Sequence, residues 1–245
     1  MKICKCFAAK INQGTILMKQ LQLISVLCAT VISFTSLPSQ AALVGVLPAT
    51  MGGTDWQAVY DDDLDISWVA NANLADTMNF GVTGINSLGR MDWDKANEFI
   101  GAMNTANYLG FNDWRLPNGL QPDATCSIQQ DVGLGIVQSI GTGCTGSEMG
   151  HLFNIEGVTS AAPDEFSNIQ SNYYWSNLEA VFAPAAYVFN PGTGDQSNFG
   201  KTSNTVNVWA VHSGNIGAVP VPAAVWLFSS GLLGLVGIAR RKKAA

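Results

Sequence analysis

Phe111-Asn112-Asp113-Trp114-Arg115-Leu116-Pro117 follows a turn rich in Gly and Asn and closes on a proline. A proline ends regular structure, so the element is short and stands by itself. Trp114 and Leu116 are residue types that plug a core, and Arg115 is a cation for which a nearby carboxylate would serve as partner. The functional alternative is that Trp114 and Arg115 meet a sugar, through a stacking face and a rigid donor fork.

Working upstream, Trp93, Ala96, Ile100 and Met103 recur at helical spacing. They predict an amphipathic helix over 93–105, with Asp92 and Asp94 at the end that favours negative charge. Residues 56–60 and 66–69 predict short strands around an acidic turn, Asp61-Asp62-Asp63-Leu64-Asp65. Downstream, a second helix is expected over 147–156, with Thr145-x-x-Glu148 as its capping box and Gly157 as its stop. Strands are expected over 173–177, 185–189 and 205–212, with Pro191-Gly192-Thr193-Gly194 as a turn. Two short helices among antiparallel strands define the α+β class, in one domain spanning residues 42–218.

Trp93-Asp94-x-Ala96-Asn97, Leu109 to Pro117, Tyr174-Trp175-Ser176-Asn177 and Val206-x-Val208-Trp209-Ala210-Val211 form an ordered series. The series resembles the domain at the C-terminal end of the bacterial collagen-like adhesin Lcl, over most of residues 56–213. Members of that family often end in an Arg-containing Val-Arg strand, where this chain has Trp209 and His212. The resemblance implies the fold of C-type lectins and formylglycine-generating enzymes. Fold alone does not fix function.

Both ends of the chain carry signals. Residues 21–37 are mostly apolar, follow Lys19 and precede Pro38-Ser39-Gln40-Ala41, a small-x-small pattern that predicts cleavage by signal peptidase after Ala41. Residues 1–41 thus read as a signal peptide, with translation from Met18 as the alternative to a long n-region. At the other end, Val219-Pro220-Val221-Pro222 precedes an apolar run over 223–239 and the cations Arg240, Arg241, Lys242 and Lys243. About 17 apolar residues lie near the lower limit for a membrane-spanning helix, and the cations mark its cytoplasmic flank. Residues 219–245 resemble the PEP-CTERM sorting signal of Gram-negative bacteria. That resemblance implies processing by an exosortase near Val-Pro-x-Pro. The route would lead through the inner membrane to the cell surface, outer envelope or extracellular matrix.

Residues 42–218 hold all 18 acidic residues but only four cations, Arg90, Lys95, Arg115 and Lys201, a formal charge of −14. Such a surface repels phosphate backbones, which excludes nucleic acid as a natural partner. It suits cations, neutral glycans or simple solubility. Of five cysteines only Cys126 and Cys144 lie in this domain. An oxidising compartment makes a disulfide between them the expected state.

The remaining candidates follow from residue type. Asp61, Asp63 and Asp65 offer carboxylates at alternate positions, as calcium loops do, although Ile66 and Ala72 stand where an EF-hand needs Gly and a bidentate acid. A looser Ca2+ site or a solvated turn are the two readings. Trp175 and Trp209, with Tyr173 and Tyr174, form either a glycan-stacking platform or core. Gln121-Pro122-Asp123 matches a tripeptide of galactose-type C-type lectins, but it follows Asn112-Asp113 where lectins have the reverse order, so it reads as coincidence. His151 lies beside Met149, Leu152 and Phe153 and reads as a packing or surface residue. No Ser-His-Asp series or zinc-protease motif is evident. The two terminal signals and the lectin-like resemblance together imply a non-enzymatic binding or adhesion module for exopolysaccharide or surface glycans. The alternatives are a structural protein without a ligand, and a hydrolase or formylglycine-type enzyme.

Overall fold

Three buried indoles, Trp68, Trp175 and Trp209, stand where the strands of this domain meet. The computed structural model describes residues 42–182, 184–203 and 205–218. In chain order the elements begin with β1 (Leu43–Pro48), β2 (Trp56–Asp61), β3 (Ile66–Val69), helix α1 (Trp93–Thr105), β4 (Ile128–Asp131) and β5 (Val137–Ile140). They continue with helix α2 (Glu148–Asn154), β6 (Tyr174–Glu179), β7 (Ala185–Asn190), β8 (Asp195–Gly200) and β9 (Val211–Ser213). The class is α+β, as expected.

The main sheet has the order β1-β2-β3-β9 and is antiparallel throughout. Trp68 pairs with Val211 in its register, so the last strand returns to one of the first and closes the domain. A second antiparallel sheet has the order β6-β7-β8, and β4 pairs with β5 as a separate hairpin. Trp68 and Trp209 lie 5.1 Å apart between ring centroids, and Phe166 and Tyr174 pack on Trp209 at 5.1 and 5.6 Å. These tilted and edge-on contacts are the arrangement aromatic quadrupoles favour.

Helix α1 begins where the sequence predicts. The Asp92 carboxylate accepts from the Lys95 backbone N–H at 2.8 Å, and Ala96, Phe99, Ile100 and Met103 face the core. Helix α2 is shorter than expected. Ser147, not Thr145, caps it by accepting from the Gly150 N–H at 3.1 Å, and Glu148 turns away to Arg115 rather than back into a capping box. Gly150 has no Cβ, which lets the Cys144 carbonyl lie against this helix.

Residues 205–212 do not form the single strand expected of them. Val206 bridges Met91 and Asn207 bridges Tyr174 before β9 begins, and Val211, the first residue of β9, also bridges Arg115. Residues 206–211 are all buried, and their backbone groups are shared among several elements, so no one neighbour runs beside them as a ladder. The sequence reading missed β1, β4, β5 and β8. Among the described residues no helix is long and apolar enough to cross a membrane. The expected signal peptide and the sorting segment, with Val219, Pro220, Val221, Pro222, Arg240 and Arg241, lie outside the described residues.

Candidate functional site

Trp114, Trp175 and Trp209 were candidates for sugar stacking, and the structure corrects that reading. They are 2%, 0% and 2% exposed, so no ring face is open to a ligand. Each indole N–H is used inside the domain. Trp114 donates to the Tyr108 carbonyl at 3.0 Å, Trp175 to Met91 at 3.0 Å and Trp209 to Val69 at 2.8 Å. Asn104 clamps Trp114 further, accepting from its backbone N–H and donating to its carbonyl, both at 2.8 Å.

Arg115 is likewise engaged. Its guanidinium meets Glu148 through two bonds of 2.8 and 2.7 Å, and Glu148 also accepts from the Asn118 backbone and side-chain amides at 2.7 and 2.9 Å. A fork held this way has little left for a ligand. Lys95 pairs with Glu98 and Lys201 with Glu179, while the Lys201 ammonium also sits 4.2 Å over the Trp93 ring.

The acidic turn between β2 and β3 does not bring the carboxylates of Asp61, Asp63 and Asp65 together as one group. Asp65, at φ 50°, accepts from the Tyr60 hydroxyl at 2.9 Å and takes no part in a cluster with Asp61. Asp61 ends β2 facing inward, 1% exposed, where its Oδ1 accepts from the Leu64 N–H at 3.1 Å. Its neighbours there are His151 and Glu156, from α2 and the residues after it, with ligand atoms of the three all within 4.8 Å of one another. His151 Nε2 lies 3.4 Å from Glu156 Oε1 and 3.6 Å from Asp63 Oδ2.

Burial raises the Asp61 carboxyl above the usual range, against the Leu64 N–H and His151, which favour its charge. Burial also raises Glu156, and the Asp61 charge adds to it while His151 opposes. Asp61 Oδ2, His151 Nε2, Glu156 Oε1 and the Trp68 indole nitrogen are buried without a hydrogen bond of ordinary geometry, although His151 and Glu156 lie 3.4 Å apart and the indole eases the Asp61 charge. His151 is therefore part of a polar cluster, not the packing or surface residue its apolar neighbours suggested. No sequence spacing announces the cluster, because Asp61 and His151 meet only through the fold.

A second feature is an open cleft of about 670 Å³ between the β4–β5 hairpin and the β6–β7 connection. Gln121, Gln138, Tyr187 and Asn198 contribute its polar lining, and Val137, Val181 and Phe182 are exposed at 38%, 61% and 47%. Apart from the Tyr187 phenol, the described residues lining it carry no ionisable group. Burial pushes that phenol up, and a hydrogen bond with Gln138 opposes the shift. Nothing in the sequence marks these residues as a group, since they come from five separate segments.

The Gln121-Pro122-Asp123 tripeptide serves the domain itself. Gln121 exchanges hydrogen bonds of 2.7 Å with the Ser139 backbone in both directions. Asp123, 2% exposed, accepts from the Thr125 N–H and hydroxyl and from the Gly146 N–H, at 3.0, 2.6 and 2.8 Å. Cys126 and Cys144 stand at disulfide distance. No protein-family model matches this chain, and no curated protein matches it.

Proposed function

We propose that this chain is an exported surface or matrix protein whose domain, residues 42–218, is a non-catalytic module for exopolysaccharide or surface glycan. Signal peptidase would remove the front segment. An exosortase-like protease would process the sorting segment after its helix has held the chain in the inner membrane. A C-type-lectin-like fold is the finer architecture we propose, supported by the closure of β9 on β3 around two short helices.

The observation that carries the binding reading is the cleft's neutrality. The domain bears a formal charge of −14, yet amides, apolar side chains and one phenol line this opening. Such a surface offers hydrogen-bond donors and acceptors plus apolar contact without attracting or repelling charge, which suits an uncharged polymer of hydroxyls. The glycan contact thus belongs to Gln138, Phe182 and their neighbours rather than to the indoles.

Pull-down of the mature secreted chain on the producing cell's exopolysaccharide tests this. Saturable retention is expected, with Phe182→Ala and Gln138→Ala weakening it at least about fivefold while the melting temperature stays within a degree or two. A chain that is never retained, or variants that bind as the parent does, would remove the assignment. Deleting residues 219–245 should move the protein from the envelope fraction into the medium, and an unchanged distribution would refute the sorting reading.

A further inference from the structure

We propose that Asp61, His151 and Glu156, with Asp63 at the mouth, form a binding site for a divalent transition-metal ion of the Zn2+ class. The ion would fasten the β2–β3 turn to the end of α2. This inference is independent of glycan binding.

Three observations converge on it. The first is composition: one imidazole and two carboxylates from distant parts of the chain present ligand atoms within 4.8 Å of one another. The second is vacancy in the hydrogen-bond network. Asp61 is 1% exposed, and its Oδ2 makes no hydrogen bond of ordinary geometry, nor do His151 Nε2 and Glu156 Oε1; the Trp68 indole nitrogen, likewise without one, is a neighbour that eases the Asp61 charge. Buried polar atoms are ordinarily paired, and three without a hydrogen bond of ordinary geometry, within 4.8 Å of one another, can take a cation between them. The third is distance. Two ligand atoms each about 2.1 Å from a tetrahedral ion stand about 3.4 Å apart. His151 Nε2 lies 3.4 Å from Glu156 Oε1 and 3.6 Å from Asp63 Oδ2.

The donor set selects the ion. Calcium and magnesium prefer oxygen cages, whereas a neutral imidazole beside carboxylates suits zinc and its neighbours in the first transition row. Two carboxylates and one imidazole offset the double positive charge, and Asp63, which stands outside the group of three, would reach the ion only by turning its exposed side chain inward. Its side chain is 45% exposed, so an ion has a way in. Asp61 already accepts from the Leu64 N–H with its other oxygen, which holds the carboxylate in place for a ligand.

The test uses the untagged mature chain, stripped of metal by a chelator and titrated with ZnCl2 and, separately, with CaCl2. One equivalent of Zn2+ is expected to bind and raise the melting temperature, and Ca2+ to do neither. His151→Gln and Glu156→Gln should each weaken Zn2+ on the order of 100-fold. Asp63 is exposed enough that Asp63→Asn should fold normally, and an approximately tenfold loss is expected there. Absence of stoichiometric Zn2+ binding overturns the proposal and leaves a cluster that shares protons instead. Unchanged affinity in the folded variants overturns it equally.

Discussion

The Arg115 guanidinium and the Glu148 carboxylate face each other as a two-bond fork, at 2.8 and 2.7 Å. The pair joins the Trp-Arg-Leu-Pro element to the first turn of α2, and backbone bonds of 2.9 and 3.0 Å tie Arg115 to Val211. The Glu148 side chain is only 12% exposed, so removing its partner leaves a mostly buried charge with Asn118 alone. Arg115→Ala should therefore cost about 2–3 kcal/mol in denaturant unfolding, somewhat below a fully buried pair. Arg115→Lys should recover less than half of that, because an ammonium cannot reproduce the fork. A loss under about 0.5 kcal/mol for the alanine variant would show that the pair is dispensable.

Trp209 separates a core role from a binding role. It packs on Trp68, Phe166 and Tyr174 and donates to the Val69 carbonyl at 2.8 Å. Trp209→Ala should cost about 3–5 kcal/mol through the cavity it opens. Trp209→Phe keeps much of the volume but leaves the Val69 carbonyl short of a donor, at a cost of about 1–3 kcal/mol. Glycan retention by the folded phenylalanine variant should match the parent. Loss of retention without loss of stability would return Trp209 to the binding surface.

How far the sequence speaks depends on whether a signal is local. Helix α1 is legible because its apolar spacing and the Asp92 cap lie within 14 residues of one another, and both act on the same segment. The β2 and β3 strands show for the same reason, as alternating or apolar runs beside an acidic turn. Glu148 misleads because a capping box and a long-range ion pair compete for one carboxylate, and Arg115 is the stronger partner. Residues 205–212 mislead differently: β-rich composition marks them as extended and buried, but not as a segment that changes partner along its length. The Asp61, His151 and Glu156 cluster needs three-dimensional closure to exist at all.

The disulfide should matter to stability rather than to chemistry. Cys126 and Cys144 enclose a sequence separation of 18, flank the β4–β5 hairpin in the chain and sit at 5% and 0% exposure. In the chain-entropy account such a loop contributes about 3 kcal/mol. Cys126→Ser with Cys144→Ser should lower unfolding free energy by roughly that amount while leaving the secondary-structure spectrum near the parent's. An enzyme that uses Cys126 would instead lose a turnover while its stability held.

Tyr173 gives the domain an alkaline limit. Its hydroxyl donates to Asp195 Oδ2 at 2.6 Å, joining the residue just before β6 to the first residue of β8. That carboxylate, with burial as the lesser cause, raises the phenol from 10.0 to about 12. A phenol with a higher pKa in the fold than in the unfolded chain binds its proton more tightly when folded. The stability it contributes is complete below pH 10 and disappears as pH rises through about 12. Tyr173→Phe should cost about 1 kcal/mol at neutral pH, the low end for a bond to a charged group because the pair is partly solvated. Between pH 10 and 12 the parent should lose that advantage and the two unfolding curves should converge. Tyr60, Tyr108 and Tyr187 are raised too, but they titrate in both proteins and cancel in the difference. A parent-minus-variant difference that stays constant across this window would show that the Tyr173 proton is not held by Asp195.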